Sequence, residues 1–558
     1  MEILGFGIVV LIFFAVFFIS GVWNEKKMLR LYKEKLVNEY GTENKREWKS
    51  EEYSHVDGYF KKHIQGFYLD EITWNDLNMD DVYKQINYAK TSAGDEYLYY
   101  LLRCPNVVKQ DWDGFENKVE YFKSHEKERL QLQLALHKMG YTGKYSIYDY
   151  LDNLNTLGNR NNTKELFADI LLIGSLIWMF FDLGSGLMAF FVMIFYNMVA
   201  YYKEKAKVDP YITSFRYLFR ILKEAEEVKK VNVSCLEKEI QELNNLRHEF
   251  DRFTRFSYLI MSGGRMNGDI MELGLDYMRM FFHLDIIKFN SMVNEVYKHR
   301  SEIDKMLTLI GALDVYLCVG EYREYLKDYC MPEYGRNKYA ATKLYHPLLQ
   351  NPVKNDLDVT KSMLITGSNA SGKSTFLKTV ALNAVLAQSV HTVCADSYVG
   401  DYYRVYSSLT LKDNIFEGDS YYMTEIKSIK RIMDAFSKDE IQVLAFVDEV
   451  LRGTNTVERI SASSVILQQL ADKNGYCFAA THDLELTEML KNYYENVHFE
   501  EIIEDDDIQF PYRLLKGKAT TRNAIALLKI MGYDNRITQE AKNQAERFEI
   551  KHKWEVLP

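Results

Sequence analysis

Ser362-Met363-Leu364-Ile365-Thr366-Gly367-Ser368-Asn369-Ala370-Ser371-Gly372-Lys373-Ser374-Thr375 decides the fold of the C-terminal part of this chain. Its first five residues are a short apolar run, its last nine fit G-x-x-x-x-G-K-[ST], and residues 376–387 suit a helix. A strand that runs through such a loop into a helix presents backbone N–H groups to phosphate oxygens at the positive helix end. Gly367, Asn369, Ser371, Gly372 and Thr375 are the expected cradle, with Lys373 on the β- and γ-phosphates and Ser374 on Mg²⁺.

Working outward, Val443-Leu444-Ala445-Phe446-Val447-Asp448-Glu449 is an apolar strand closed by two acids. Asp448 is expected to assist Mg²⁺, and Glu449 is placed to polarise an attacking water. An Asp-Glu pair alone is a solvated strand end; the upstream loop gives it chemical meaning. A third strand, Tyr476-Cys477-Phe478-Ala479-Ala480, leads to Thr481-His482. A lone histidine is usually structural, but His482 leaves a strand where doubly wound sheets bind ligands, placed to sense a γ-phosphate.

Together these motifs resemble those of the MutS family of DNA mismatch-repair proteins. The loop is similar to G-P-N-x-x-G-K-S-T, with Ser368 for the proline. Asp448-Glu449-Val450-Leu451-Arg452-Gly453-Thr454-Asn455-Thr456 resembles D-E-x-G-R-G-T-S-T, with Leu451 for the first glycine and Glu458-Arg459 where Asp-Gly is usual. Glu417-Gly418-Asp419-Ser420-Tyr421-Tyr422-Met423-Thr424-Glu425 is similar to the signature loop G-x-S-T-F-M-x-E, and Thr481-His482 to the T-H switch. Residues 512–525 resemble the closing strand–helix segment, with Arg522-Asn523-Ala524 for S-Y-G. The resemblance covers 338–549 and continues weakly upstream, from Asp76-Leu77 through Thr91, Gly94 and Leu102, then at Ile310-Gly311-Ala312-Leu313-Asp314 and His346-Pro347-Leu348-Leu349.

The resemblance implies an α/β P-loop NTPase domain of the ABC/MutS-like class that hydrolyses ATP with Mg²⁺ as a homodimer. It further implies that Ser420 faces the γ-phosphate held by Lys373 of the other subunit, and that DNA is a partner. No stretch resembles the mismatch-reading domain with its F-x-E motif, so DNA binding without mismatch specificity is expected. The aromatic that the resemblance would place on adenine is missing, and Val353 stands nearest its position.

Before residue 338 the character changes. A chain of 558 residues, 47% hydrophobic, is too long for one core and predicts two to four domains. With 69 Lys+Arg against 79 Asp+Glu it has no global basic field for nucleic acid. Six scattered cysteines without a C-x-x-C pair fit reduced thiols in a cytosolic compartment.

Residues 3–24 carry no charge and are long enough to cross a hydrocarbon core of about 30 Å. Lys26, Lys27, Arg30, Lys33 and Lys35 follow, which places the rest in the cytoplasm. A cleaved signal peptide is disfavoured, because Met1-Glu2 supplies no cation and no A-x-A-like site follows. Residues 166–181, interrupted only by Asp169, and the uncharged 183–202 read as a second apolar region, with Asp182-Leu183-Gly184-Ser185-Gly186 as a tight turn. Arg160 and Lys164 before it and Lys203, Lys205 and Lys207 after it suit a hairpin that enters from the cytoplasm and returns there. Spanning and re-entrant insertion both fit its short first arm.

Residues 117–140, 228–256 and 301–327 show helical apolar spacing. The expected organisation is an anchor at 1–25, helical core at 26–165, a transmembrane or re-entrant hairpin at 166–202, further core and lever helices at 203–337, and the ATPase at 338–558. The fold class is thus an all-α helical lever/core domain with transmembrane helices, then the α/β domain; the protein is expected to be multi-pass, its ATPase cytoplasmic. Two functions fit: a membrane-tethered, DNA-associated ATPase clamp, and a membrane-bound ATP-driven switch acting on a protein or lipid. An apolar hairpin instead of a lysine-rich tip counts against strong DNA binding, and the resemblance counts for it.

Overall fold

The computed structural model describes residues 23, 26–158, 160–231, 233–255, 270–368, 371–409, 421–436, 441–452, 454–504, 507–519, 525, 528, 530–551, 553, 554 and 556. The expected anchor at 3–24 lies outside the described residues apart from Trp23. The chain divides into two compact units. One holds the described residues up to His63 with Ile86–Tyr100 and Asp113–Tyr325; the other holds Ile64–Gln85, Leu101–Trp112 and the chain from Leu326 onward.

The first unit is helical throughout its described residues. Its spine is the Arg300–Leu326 helix, whose Met306, Ile310, Leu313 and Leu317 recur at three- and four-residue steps and are buried. They join a core with Leu136, Phe215, Leu218, Phe253 and Phe289. The spine also buries Asp314, whose carboxylate accepts from the N–H groups of Lys90 (3.0 Å) and Thr91 (2.9 Å) and from the Thr91 hydroxyl (2.7 Å). Burial raises Asp314 to about 7. It raises Glu321, two turns on, to about 7 as well.

The apolar hairpin is formed by helices Thr163–Trp178 and Leu183–Val208. The turn expected at 182–186 is corrected: the chain turns at residues 179–182, and Asp182 caps the second helix. Its carboxylate accepts from the Gly184 N–H (3.2 Å) and the Ser185 hydroxyl (2.5 Å). Aspartate before small residues serves a cap as well as a turn, which is why this tract misleads. Gly186 lets the arms close, since a Cβ there would lie 2.6 Å from the Met179 nitrogen.

At a rise of about 1.5 Å per residue, the first arm reaches roughly 24 Å and the second roughly 39 Å. Among the described residues only Leu183–Val208 is long and apolar enough to cross a membrane. The hairpin is inverted relative to a soluble core. Ile170, Ile177, Phe180, Phe181, Phe191 and Phe195 are exposed, whereas Asp169, Ser175, Asn197 and Tyr201 are buried. The buried groups bond inward: Asp169 to His283 (2.9 Å), Asn197 to the Phe281 carbonyl (2.8 Å) and Tyr201 to Asp285 (2.9 Å).

The second unit is α/β. Its six-stranded sheet has the order β12-β9-β4-β8-β7-β6, with β4 Ser362–Thr366, β6 Tyr403–Ser408, β7 Gln442–Asp448, β8 Gly475–Ala480, β9 Tyr494–His498 and β12 Leu515–Lys516. All neighbours are parallel except the edge strand β12. β4 is buried at all five positions, which is why it reads as an unbroken apolar run. A second sheet, β1 Glu333–Tyr334, β5 Ser397–Gly400, β2 Tyr339–Leu344 and β3 Asn355–Val359, was not anticipated; β10 Ile502–Glu504 pairs with β11 Asp507–Gln509.

Residues 64–85 and 101–112, expected in the helical core, belong to the α/β unit instead. The Glu71–Asp76 helix ends in a buried carboxylate satisfied by β6 and the residue after it. Asp76 accepts from the Ser407 hydroxyl (2.7 Å) and the Leu409 N–H (2.9 Å), and Arg431 pairs with Asp70.

Candidate functional site

Strand register assembles the site. Ile365 of β4 lies beside Ala480 of β8, and Ala480 beside Asp448 of β7, so three chains leave the sheet at one level. The loop after β4 carries Gly367 and Ser371, and the Lys373–Val390 helix begins beyond Gly372. Gly372 is left-handed (φ 102°), and a Cβ there would press on the Tyr512 ring at 3.0 Å. Asn369 and Ser420 lie outside the described residues.

The expected side chains converge. Lys373 Nζ donates to the carbonyls of Gly367 (2.9 Å) and Ser368 (2.8 Å) and lies 3.3 Å from His482 Nε2. Ser374 donates its hydroxyl to Asp448. Glu449 meets His482 Nε2 at 2.9 Å and Arg452 Nε at 2.6 Å, and Arg452 also approaches Asp448 (3.7 Å). Burial lowers the Lys373 pKa. Burial would raise Glu449, but the His482 hydrogen bond and the charges of Arg452, His482 and Lys373 outweigh it and hold its carboxyl below the usual range.

Lys373, Ser374, Asp448, Glu449 and Arg452 line a cleft of about 490 Å³. Thr375 and Val353 are on its wall, as are His346 and Tyr512, which sequence reasoning did not single out as site residues. His346 had a signal, the His-Pro-Leu-Leu landmark; Tyr512 had none, since it arrives by tertiary packing. Arg452 reaches Glu449 because the chain between them makes a tight non-helical turn, with left-handed Glu449 and Leu451, which the sequence does not announce. Arg459, which stands where glycine is usual, grips Asp483 next to His482 with two bonds (3.0 and 2.7 Å).

The donor set suits Mg²⁺ with a polyphosphate. Ser374 and Asp448 are hard oxygen ligands, few enough to leave room for phosphate oxygens and water. Ser371 Oγ, buried in the loop against Gly367, has no hydrogen-bond partner among the described residues.

A buried parallel strand feeding a glycine loop and a helix, with acids at a neighbouring strand end, defines a P-loop nucleotide-binding domain of the doubly wound class. Residues 363–549 match the family model for MutS domain V. The C-terminal part of the chain is thus similar to MutS domain V. The chain is 27% identical over 325 residues to the DNA mismatch repair protein MutS of Lactobacillus delbrueckii subsp. bulgaricus, covering 55% of this chain and 38% of that protein. Its likeness to the DNA mismatch repair protein MutS of Thermotoga sp. is 28% over 269 residues, 46% of this chain and 33% of that one. The chain therefore spans well under half the length of these relatives.

Proposed function

We propose that this chain hydrolyses ATP with Mg²⁺ and couples turnover to a membrane-attached helical unit. The observation that carries the reading is the convergence of Lys373, Ser374, Asp448, Glu449 and His482 at one level of the sheet. Lys373 and the loop N–H groups hold the β- and γ-phosphates. Ser374 and Asp448 hold Mg²⁺, which supplies charge neutralisation between the phosphates. Glu449 takes a proton from water as its oxygen bonds to the γ-phosphorus and the bond to the β-phosphate oxygen breaks, releasing ADP and phosphate. His482 orients Glu449 and reads the γ-phosphate; Val353 and Tyr512 flank the base. Lys373→Ala should abolish ATP binding measured by titration, and unchanged binding would remove the assignment.

The active form is a homodimer in which Ser420 completes the partner's site. Mixing a Lys373 variant with a Ser420 variant should restore one working site per heterodimer; verified heterodimers without recovery would refute it. The relatives are named DNA mismatch repair proteins, which makes DNA, bound without mismatch specificity, the first partner to test. The inverted hairpin favours a second reading, an ATP-driven switch acting on a protein or lipid. DNA binding titrated with salt, with and without ATP, separates the two.

Localisation is multi-pass, through the 3–24 anchor and the 166–202 hairpin, with the helical core parts at 26–165 and 203–337 and the ATPase at 338–558 cytoplasmic. An impermeant thiol reagent on intact cells should label Ser185→Cys at the hairpin tip and spare Lys223→Cys; a protected Ser185→Cys would make the hairpin re-entrant.

A further inference from the structure

The turn that carries Glu449 is held in an unfavourable conformation. Glu449 (φ 57°) and Leu451 (φ 61°) are both left-handed, a region that costs a side-chain-bearing residue roughly 1–2 kcal/mol. At Leu451 the sequence departs from the glycine that would adopt this conformation freely. Something must hold the turn, and two buried side chains reach it: the Ser463 hydroxyl donates to the Val450 carbonyl (3.1 Å), and a carboxylate takes the two N–H groups that follow. Glu425, 1% exposed on the Tyr421–Ala435 helix, accepts the N–H groups of Leu451 (2.5 Å) and Arg452 (3.3 Å) on one carboxylate oxygen. Its other oxygen is buried with no hydrogen-bond partner among the described residues, so the bonds seen for this carboxylate all go to the turn. Arg452, whose N–H is bound, is the residue that grips Glu449.

We propose that Glu425 is a positioning residue for ATP hydrolysis: it clamps the Leu451–Arg452 backbone and so aims Glu449 at the attacking water. The proposal rests on Glu449 acting as the base. Burial raises the Glu425 pKa against the pull of the two N–H donors, which fits a clamp needing an acceptor oxygen rather than a charge.

The test measures ATP turnover and ATP affinity in the full-length protein for Glu425→Ala, Glu425→Asp and Glu425→Gln, alone and with Leu451→Gly. Glu425→Ala should lower kcat roughly ten- to hundredfold, the scale of two lost hydrogen bonds of about 1 kcal/mol each, with ATP affinity changed less than about threefold. Glu425→Asp, one methylene short, should behave similarly and covers the case in which the alanine variant does not fold. Glu425→Gln keeps the acceptor and should lose far less. In the Leu451→Gly background, where one of the two left-handed residues no longer carries a side chain, the cost of Glu425→Ala should shrink several-fold. An undiminished cost there, or equal losses of affinity and kcat, would make Glu425 a packing residue and overturn the proposal. Glu449→Gln is the control: if it turns over like the parent, the base assignment fails, whereas a loss there with none in Glu425→Ala sinks the clamp alone.

Discussion

The phosphate crevice and the apolar hairpin both keep ionisable groups away from bulk water, by opposite means. In the crevice Asp448 and Glu449 at the end of β7 and Lys373 at a helix start line an open cleft, backed by an apolar core. In the hairpin Asp169, His283, Asn197 and Tyr201 face inward to protein partners, and the apolar side chains point outward. Buried polar atoms that converge on free volume form a ligand site. Those that pair inward beneath an apolar surface are what a membrane-facing bundle requires.

The largest effect expected from breaking this contrast lies on the hairpin. Serine at Ile170, Ile177, Phe191 and Phe195 together should remove roughly 6–12 kcal/mol of apolar transfer energy. Labelling of 166–202 by an apolar photoreactive probe in vesicles should then collapse while the helical unit keeps its melting temperature. A variant that unfolds instead would make the face a protein core and erase the contrast. In the crevice, Glu449→Gln should retain ATP binding and slow single turnovers about a hundredfold or more; equal rates would leave Glu449 without its role.

Mild acid sharpens the comparison, because the two units should respond in opposite directions. Burial holds Asp314 and Glu321 near 7 in the folded helical unit, against their ordinary values of 3.8 and 4.5. The folded form therefore binds protons first, and this unit gains stability as pH falls from 7.5 towards 5, by roughly 1–3 kcal/mol. His346 in the α/β unit is lowered by burial and the Lys378 charge from 6.5 to about 4. There the unfolded form binds the proton first, so stability is lost as pH falls from about 6.5 to 4. Calorimetry at pH 7.5 and 5.5 should show the two transitions shifting apart; a common shift would show that other groups dominate. The smallest net effect is Leu451→Gly: relief of the left-handed backbone, roughly 1–2 kcal/mol, is outweighed by loss of a leucine buried in the α/β core, roughly 2–5 kcal/mol, so the unit should lose roughly 1–3 kcal/mol. A stabilised variant would mean that the backbone costs more than the leucine side chain contributes.

The crevice was the most legible part of the sequence. The β4 run at 362–366 and the residues Lys373, Ser374, Asp448, Glu449 and His482 come from motifs only a few residues long, where strand, loop and helix signals agree locally. His346 and Tyr512 reach the same cleft through long-range packing, and no local pattern announces that. The second sheet escaped because its strands are two to six residues long and β2, with two successive exposed positions, lacks clean alternation. The hairpin arms were plain from composition, whereas its turn was not, since Asp-Leu-Gly-Ser-Gly suits a cap and a turn equally.

The Glu71–Asp76 helix carries a consequence for how the chain is made. Asp76 leaves the ribosome 331 residues ahead of Ser407, the hydroxyl that satisfies it. At about 5–20 residues per second the wait is roughly 15–65 s. Throughout it Trp74 and Leu77, destined for burial, have no sheet to cover them, and the helical unit must be synthesised in between. The α/β unit is thus discontinuous in time as well as in sequence, and the nascent chain depends on chaperone cover at an early helix to protect a late sheet. A defect at Asp76 would then surface as lost yield during synthesis, while the molecules that mature would turn over ATP at close to the normal rate.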